Sequence, residues 1–393
     1  MSRSIAFYLQ ASIIVFFLAA SSAPTPLYAL YQAQWGFSAI AVTAVFAVYA
    51  LAVLSSLLVF GSLSDYVGRR PVLLVAIAMQ AIAMIVFVTA SGVGGLAIAR
   101  IIQGVSTGAA AGAIGAGMLD IDRARGTFAN SVTPPIGTAV GALLSGAMVQ
   151  LLPAPTQLVY LLLLAIFIAQ AIGVAVMPET ALRKHGALAS LRPHFTLPVA
   201  VRRPLLIATP AMVAAWAFVG FYGSLGPALV RHLVGSTAPI LGGLALFVLA
   251  ASAVVATIVL HARDRHTQLT IGTTLLVAGV TTTLVAIAGG SPITLFAGTM
   301  IAGAGFGAAF QGAIGSVISL AAPTERAGVL SIIYVIGYLA FGLPAVITGA
   351  VVASTHDVIA AAKGYGLVVM ALASLALIGS RWRQRVAVTA FET

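Results

Sequence analysis

Apolar runs long enough to cross a bilayer recur along this chain, near residues 6–28, 38–60, 72–90, 94–117, 127–150 and 157–177, and then near 204–229, 238–260, 270–288, 293–319, 328–352 and 364–380. A run of about 18 apolar residues suffices for a transmembrane helix. In lipid only helices and closed barrels satisfy every backbone polar group. A barrel requires alternating segments of about ten residues, and Leu161-Leu162-Leu163-Leu164-Ala165-Ile166 does not alternate. The expected fold class is therefore an all-α membrane protein with twelve transmembrane helices. With 61% apolar and 7% charged residues, the chain falls far short of the roughly one quarter charged residues of soluble domains.

The first run resembles a secretory signal, with Arg3 ahead of it and Ala19-Ala20-Ser21-Ser22-Ala23 behind. Removing it would leave five spans before the central polar stretch and six after, so it is read as a retained first span. The polar stretch, residues 178–203, reads as a linker between an N-terminal bundle (1–177) and a C-terminal bundle (204–393). The two halves echo each other: Gly104, Gly108, Ala109 and Ala110 in the fourth span match Gly303, Gly307, Ala308 and Ala309 in the tenth. Parallel six-span repeats of this kind mark one transporter architecture.

The formal net charge of +11 invites a nucleic-acid reading, but the basic residues are scattered between apolar runs. With the N-terminus inside, the inner connections hold Arg3, Arg69, Arg70, Arg123, Arg125, Arg183, Lys184, Arg192, Arg202, Arg203, Arg263, Arg265, Arg326, Arg381, Arg383 and Arg385. The outer connections hold Arg231 and Lys363. Basic residues concentrate on the cytoplasmic side of membrane proteins, so both termini are expected there. The same bias accounts for the charge without a nucleic-acid partner. No cysteine is present, which excludes disulfides and thiolate chemistry. No His-Glu-x-x-His pattern, paired acids or metal-ligand cluster occurs, so neither an enzyme, a metal site nor a cofactor is expected.

Between the second and third spans the chain reads Gly61-Ser62-Leu63-Ser64-Asp65-Tyr66-Val67-Gly68-Arg69-Arg70. Its glycines permit a tight turn, and Asp65 can sit at a helix N-terminus or pair with an arginine. This pattern resembles the signature of the major facilitator superfamily between its second and third helices. The resemblance implies that Asp65 braces the eleventh helix in one access state and that Arg69 pairs with an acid ending the fourth, where Asp120 stands. The matching second-half connection, Arg263-Asp264-Arg265-His266, keeps the charges and lacks the glycines.

Three further motifs extend the resemblance. Arg100 and Gln103 share one face of the fourth span, and a buried arginine must point to protein or water. Two roles are open: proton or substrate coupling, or bracing the Pro24–Pro26 end of the first span. In the fifth span Gly137, Gly141 and Gly146 resemble the exporter motif of the superfamily, with Ala142 where the motif has proline and Ser145 where it has a further glycine. The same glycines also fit generic small-residue packing. Pro178-Glu179-Thr180, and Pro323-Thr324-Glu325-Arg326 ahead of the eleventh span, resemble drug-exporter-like members.

The resemblance implies a monomeric, multi-pass exporter of small organic compounds in a bacterial inner membrane, with the bilayer as its setting and protons as a coupling partner. The alternative is an importer or facilitator of a small, anionic metabolite. None of the eight acids lies inside a span, so the usual titratable carboxylate is missing. Polar and aromatic positions within spans, Tyr49, Asn130, Trp216, Tyr222, Gln311, Tyr334 and Tyr338, are candidate substrate contacts. Tyr28, Tyr31 and Trp35 are expected in an outer aromatic belt.

Overall fold

The computed structural model describes residues 1–236, 238–322 and 325–389, and for 380–389 the backbone path alone. Pro323 and Thr324 of the motif ahead of the eleventh span lie outside the described residues, as do the side chains of Arg381, Arg383 and Arg385. In chain order the helices are α1 (Arg3–Ser22), α2 (Pro24–Trp35), α3 (Ala39–Phe60), α4 (Ser64–Val67), α5 (Arg69–Thr89), α6 (Val93–Ile121), α7 (Arg123–Leu151) and α8 (Leu158–Ala175). They continue as α9 (Ala187–Ser190), α10 (Val199–Ser224), α11 (Gly226–Val234), α12 (Pro239–Leu260), α13 (Arg265–Gly289), α14 (Pro292–Ile318), α15 (Arg326–Thr355) and α16 (Val358–Thr389). Among the described residues twelve segments are long and apolar enough to cross a membrane, α1 and α2 together forming the first.

The break between α1 and α2 has a direct cause. Pro24 has no N–H for the carbonyl of Ala20, and Pro26 has none for Ser22. Ala23 is left between two helices, and carbonyls at the end of α1 need other donors. Elsewhere prolines lie inside helices: Pro134 and Pro135 in α7, Pro204 and Pro210 in α10, and Pro344 in α15.

Contacts between Cα atoms divide the chain into two compact units. The first comprises residues 1–194 together with 223–231 and 236–247; the second comprises 195–222, 232–235 and 248–393. In the first, a core around Ile13, Phe17, Leu73, Ile77, Met84, Leu163 and Phe167 joins α1, α5 and α8. In the second, Met212, Leu205, Ala313, Val317, Val329 and Ile333 join α10, α14 and α15.

The glycine echo has a structural counterpart. A Cβ on Gly104 would meet Ala52 Cβ at 2.6 Å, and one on Gly108 would meet Ser56 Cβ at 2.6 Å, so α6 lies directly on the backbone of α3. In the second unit, Gly303 and Gly307 lie against Leu249, Ser252 and Ala253 of α12. Without side chains at the contact, helices approach closely and gain dispersion energy that lipid cannot replace.

Candidate functional site

The turn after α3 is organised around Arg69. Gly68 adopts φ 102° and ψ 153°, a region essentially reserved for glycine. That conformation turns the chain directly into α5, whose first residues are Arg69 and Arg70. The buried Arg69 guanidinium donates from Nη1 to Ser64 Oγ at 2.8 Å and to Asp65 Oδ1, and from Nε to Asp120 Oδ2 at 3.1 Å. Thr180 Oγ1 also donates to Asp120 Oδ2, at 3.2 Å. Two acids and one hydroxyl therefore share one cation at the end of α6, and Asp65 remains half exposed.

Glu179 completes the cluster, and motif spacing gave no hint of its role. Its carboxylate accepts from the backbone N–H of Arg69 at 2.8 Å and of Arg70 at 3.0 Å, capping α5 from 110 residues away in sequence. It also accepts from Thr180 N and Ala181 N at 3.0 and 3.1 Å. A carboxylate at a helix N-terminus is stabilised by the free N–H groups and the helix dipole. Burial pushes the Glu179 carboxyl up, but the four backbone donors outweigh it and hold the group below the usual glutamate value. The sequence signal was its position: one acid in an otherwise basic linker.

The second-half counterpart does something else. Asp264 Oδ1 accepts from His266 N at 3.1 Å and Thr267 N at 2.9 Å, and so caps α13. Hydrogen bonds from the side chain and then the backbone of Thr267 hold its carboxyl below the ordinary aspartate value. Arg265 donates to Gln268 Oε1 at 3.1 Å rather than to an acid.

Arg100 is fully buried. Nη1 donates to Ser21 O and Gln103 Oε1, each at 2.8 Å, while Nη2 and Nε reach Tyr28 Oη at 2.7 and 3.2 Å. Gln103 Nε2 donates at 3.0 Å to Ala20 O, the carbonyl that Pro24 leaves without a helical donor. The guanidinium carbon lies 5.1 Å from the Tyr49 ring centre, 5.8 Å from Tyr28 and 5.9 Å from Phe87, within cation–π range. Tyr28 and Tyr31 are thus buried, not part of an outer belt, because Arg100 and Tyr160 take their hydroxyls. Trp35, half-buried, stacks on Tyr31 at 4.7 Å between ring centres.

Helix α7 packs on the same break. Gly137 faces Leu18 and the Val15 carbonyl of α1, and Gly141 faces Ala19 and Ser22. Ser22 Oγ donates to Thr138 O at 3.0 Å, and Ser145 Oγ donates to Ala23 O at 2.6 Å. A Cβ on Gly146 would lie 3.1 Å from Ile240 Cα.

The family profile described as Major Facilitator Superfamily matches residues 11–345. The chain belongs to the Major Facilitator Superfamily. It is therefore a multi-pass membrane transporter. Among solved structures of superfamily transporters, the human organic anion transporter MFSD10 (TETRAN) superposes with a TM-score of 0.69 at 16% identity, over 97% of this chain and 100% of that one. The nucleoside transporter NupG, as a point mutant, superposes with a TM-score of 0.71 at 12% identity, over 96% of this chain and 98% of that one. At these identities the likeness is one of superfamily fold.

The seven candidate substrate contacts separate in this superfamily scaffold. Tyr49 is buried beneath Arg100, and Tyr222 is buried with its hydroxyl 2.6 Å from Thr299 Oγ1. Asn130 is half-buried and donates to Gly115 O at 3.1 Å. In the second unit Trp216 contacts Tyr338, Phe310 and Phe341, with ring centres at 5.1, 5.3 and 5.7 Å. Gln311, Tyr334 and Tyr338 are half-buried in that unit. No cluster of His, Cys, Asp or Glu among the described residues could hold a metal ion.

Proposed function

We propose that this transporter exports small, neutral, amphipathic organic compounds across a bacterial inner membrane by alternating access, with both termini cytoplasmic. The observation that carries the substrate class is the engagement of Arg100. Among the described residues it is the one charged group in the interior of a span, and its guanidinium is bound to Tyr28, Ser21 and Gln103 with no exposed surface. An anion entering the spans would meet no available cation there, and an organic cation no carboxylate. Desolvating an unpaired charge costs several kcal/mol or more, whereas a neutral compound needs only apolar and hydrogen-bonding contacts. Arg100 is accordingly assigned as a brace for the α1–α2 break.

Export direction draws on the tight packing of Gly137 and Gly141 against α1, at the positions of the exporter-like motif. Proton coupling, where a gradient drives flux, is assigned to the Asp65 and Asp120 carboxylates around Arg69, since the interiors of the spans hold no acid. The test is flux in proteoliposomes with matched neutral and carboxylate forms of one aromatic scaffold, with and without an imposed pH gradient. Transport of the neutral form alone is expected. Preferential transport of the carboxylate would overturn the substrate class, and gradient-insensitive rates would remove proton antiport.

A further inference from the structure

The first part of the linker carries a feature that transport itself does not use. Leu182 and Leu188 are each 84% exposed, although they lie beyond the end of α8 and not on the face of a span. Between and after them Arg183, Lys184 and Arg192 are exposed, with no ion pair among the described residues. Large apolar groups left in water forfeit burial free energy, so a surface that takes up the leucines while matching the cations is favoured.

The segment is also held at a defined level. Lys184 N donates to Tyr66 O at 2.8 Å, and Ser62 Oγ donates to Ser190 O at 3.2 Å. Gly186, at φ 102°, turns the chain over the Tyr66 ring, where a Cβ would lie 3.6 Å from the nearest ring atom. Tyr66 and Ser62 belong to the turn directly after α3, a membrane span. The segment is therefore pinned within a few residues of a span end.

We propose that residues 181–192 dock on the anionic lipid surface next to the Arg69 cluster, with Leu182 and Leu188 inserted among acyl chains and Arg183, Lys184 and Arg192 on headgroup phosphates. Apolar groups combined with basic ones suit a membrane interface, whereas a free polyanion would have no use for the leucines. Because the segment is hydrogen-bonded to the turn that presents Asp65 and Arg69, lipid docking would bear on that turn directly.

The cysteine-free chain makes the test simple. His185→Cys carries a single environment-sensitive fluorophore in the full-length protein, reconstituted in nanodiscs of phosphatidylcholine with or without phosphatidylglycerol. Expected in phosphatidylglycerol is quenching by a shallow nitroxide lipid and protection from aqueous iodide. Leu182→Glu with Leu188→Glu is expected to restore iodide access. Arg192→Ser is expected to lower the docking equilibrium constant about fivefold, the effect of one basic residue near an anionic surface. Full iodide access in both lipids would overturn the proposal. Docking that ignores the phosphatidylglycerol content would overturn its headgroup part. The lipid comparison requires no variant beyond the probe, and all the substituted residues are exposed.

Discussion

Gly68 combines two constraints that single out glycine. Its φ of 102° with ψ of 153° suits no L side chain, and a Cβ would lie 2.6 Å from Glu179 Oε2, inside the carboxylate that caps α5. Gly68→Ala is expected to lower stability by about 1–3 kcal/mol, the cost of holding a non-glycine residue in such a region, measured by thermal unfolding in detergent. Glu179 gives a pH-dependent counterpart. Its folded carboxyl lies below the ordinary glutamate value, so the unfolded chain binds the proton first as pH falls. Its contribution is complete above the ordinary value and is lost as pH drops through the lower, folded one. The carboxyl is largely exposed to solvent, so the effect is small. Glu179→Gln should nonetheless flatten the stability profile between pH 5 and 3, roughly the window set by a depressed glutamate. An unchanged slope would remove the capping role.

At the scale of elements, the spans and their glycine seams were legible because hydropathy and small-residue spacing are local signals. Gly108 and Gly307 both replace side chains at helix contacts, with the nearest α3 and α12 atoms well inside van der Waals distance of an added Cβ. Gly108→Val and Gly307→Val should each cost about 1–3 kcal/mol, as overpacking does. Gly364 in α16 has nothing within 4 Å. Gly364→Ala should therefore be neutral or stabilise by up to about 1 kcal/mol, the helix-propensity gain. Comparable losses at all three sites, read by thermal unfolding, would refute the packing argument. What spacing could not reveal was contact between distant segments. Glu179 reaches α5 because the linker folds back on the turn, and Tyr28 turns inward because Arg100 needs an acceptor. The brace proposed for Arg100 rests on its bond to Ser21 O and on Gln103 binding the Ala20 carbonyl that Pro24 frees, contacts visible only once α1 and α6 are seen side by side.

For the whole molecule, we propose the Arg69 cluster as the place where a single charge bears on alternation between access states. Asp65 is half exposed and shares Arg69 with Asp120, so removing its charge leaves the buried guanidinium still paired. Folding should therefore survive Asp65→Asn. Hydrogen bonds to charged groups contribute about 1.5–3 kcal/mol, and half exposure places this one at or below the low end of that range. A ligand or substitution shifts a two-state balance only by its differential free energy between the states. If the Asp65–Arg69 bond forms in one access state and breaks in the other, its loss shifts that balance by up to roughly tenfold. Asp65→Asn should thus lower proteoliposome flux several-fold, with expression and thermal midpoint close to wild type. Asp120→Asn removes the partner that ties the cluster to the end of α6 and to Thr180, and should lower both flux and stability. Wild-type flux in Asp65→Asn would show that the pair does not distinguish the access states. Loss of folded protein in that variant would instead make the pair a structural contact like those of Arg100.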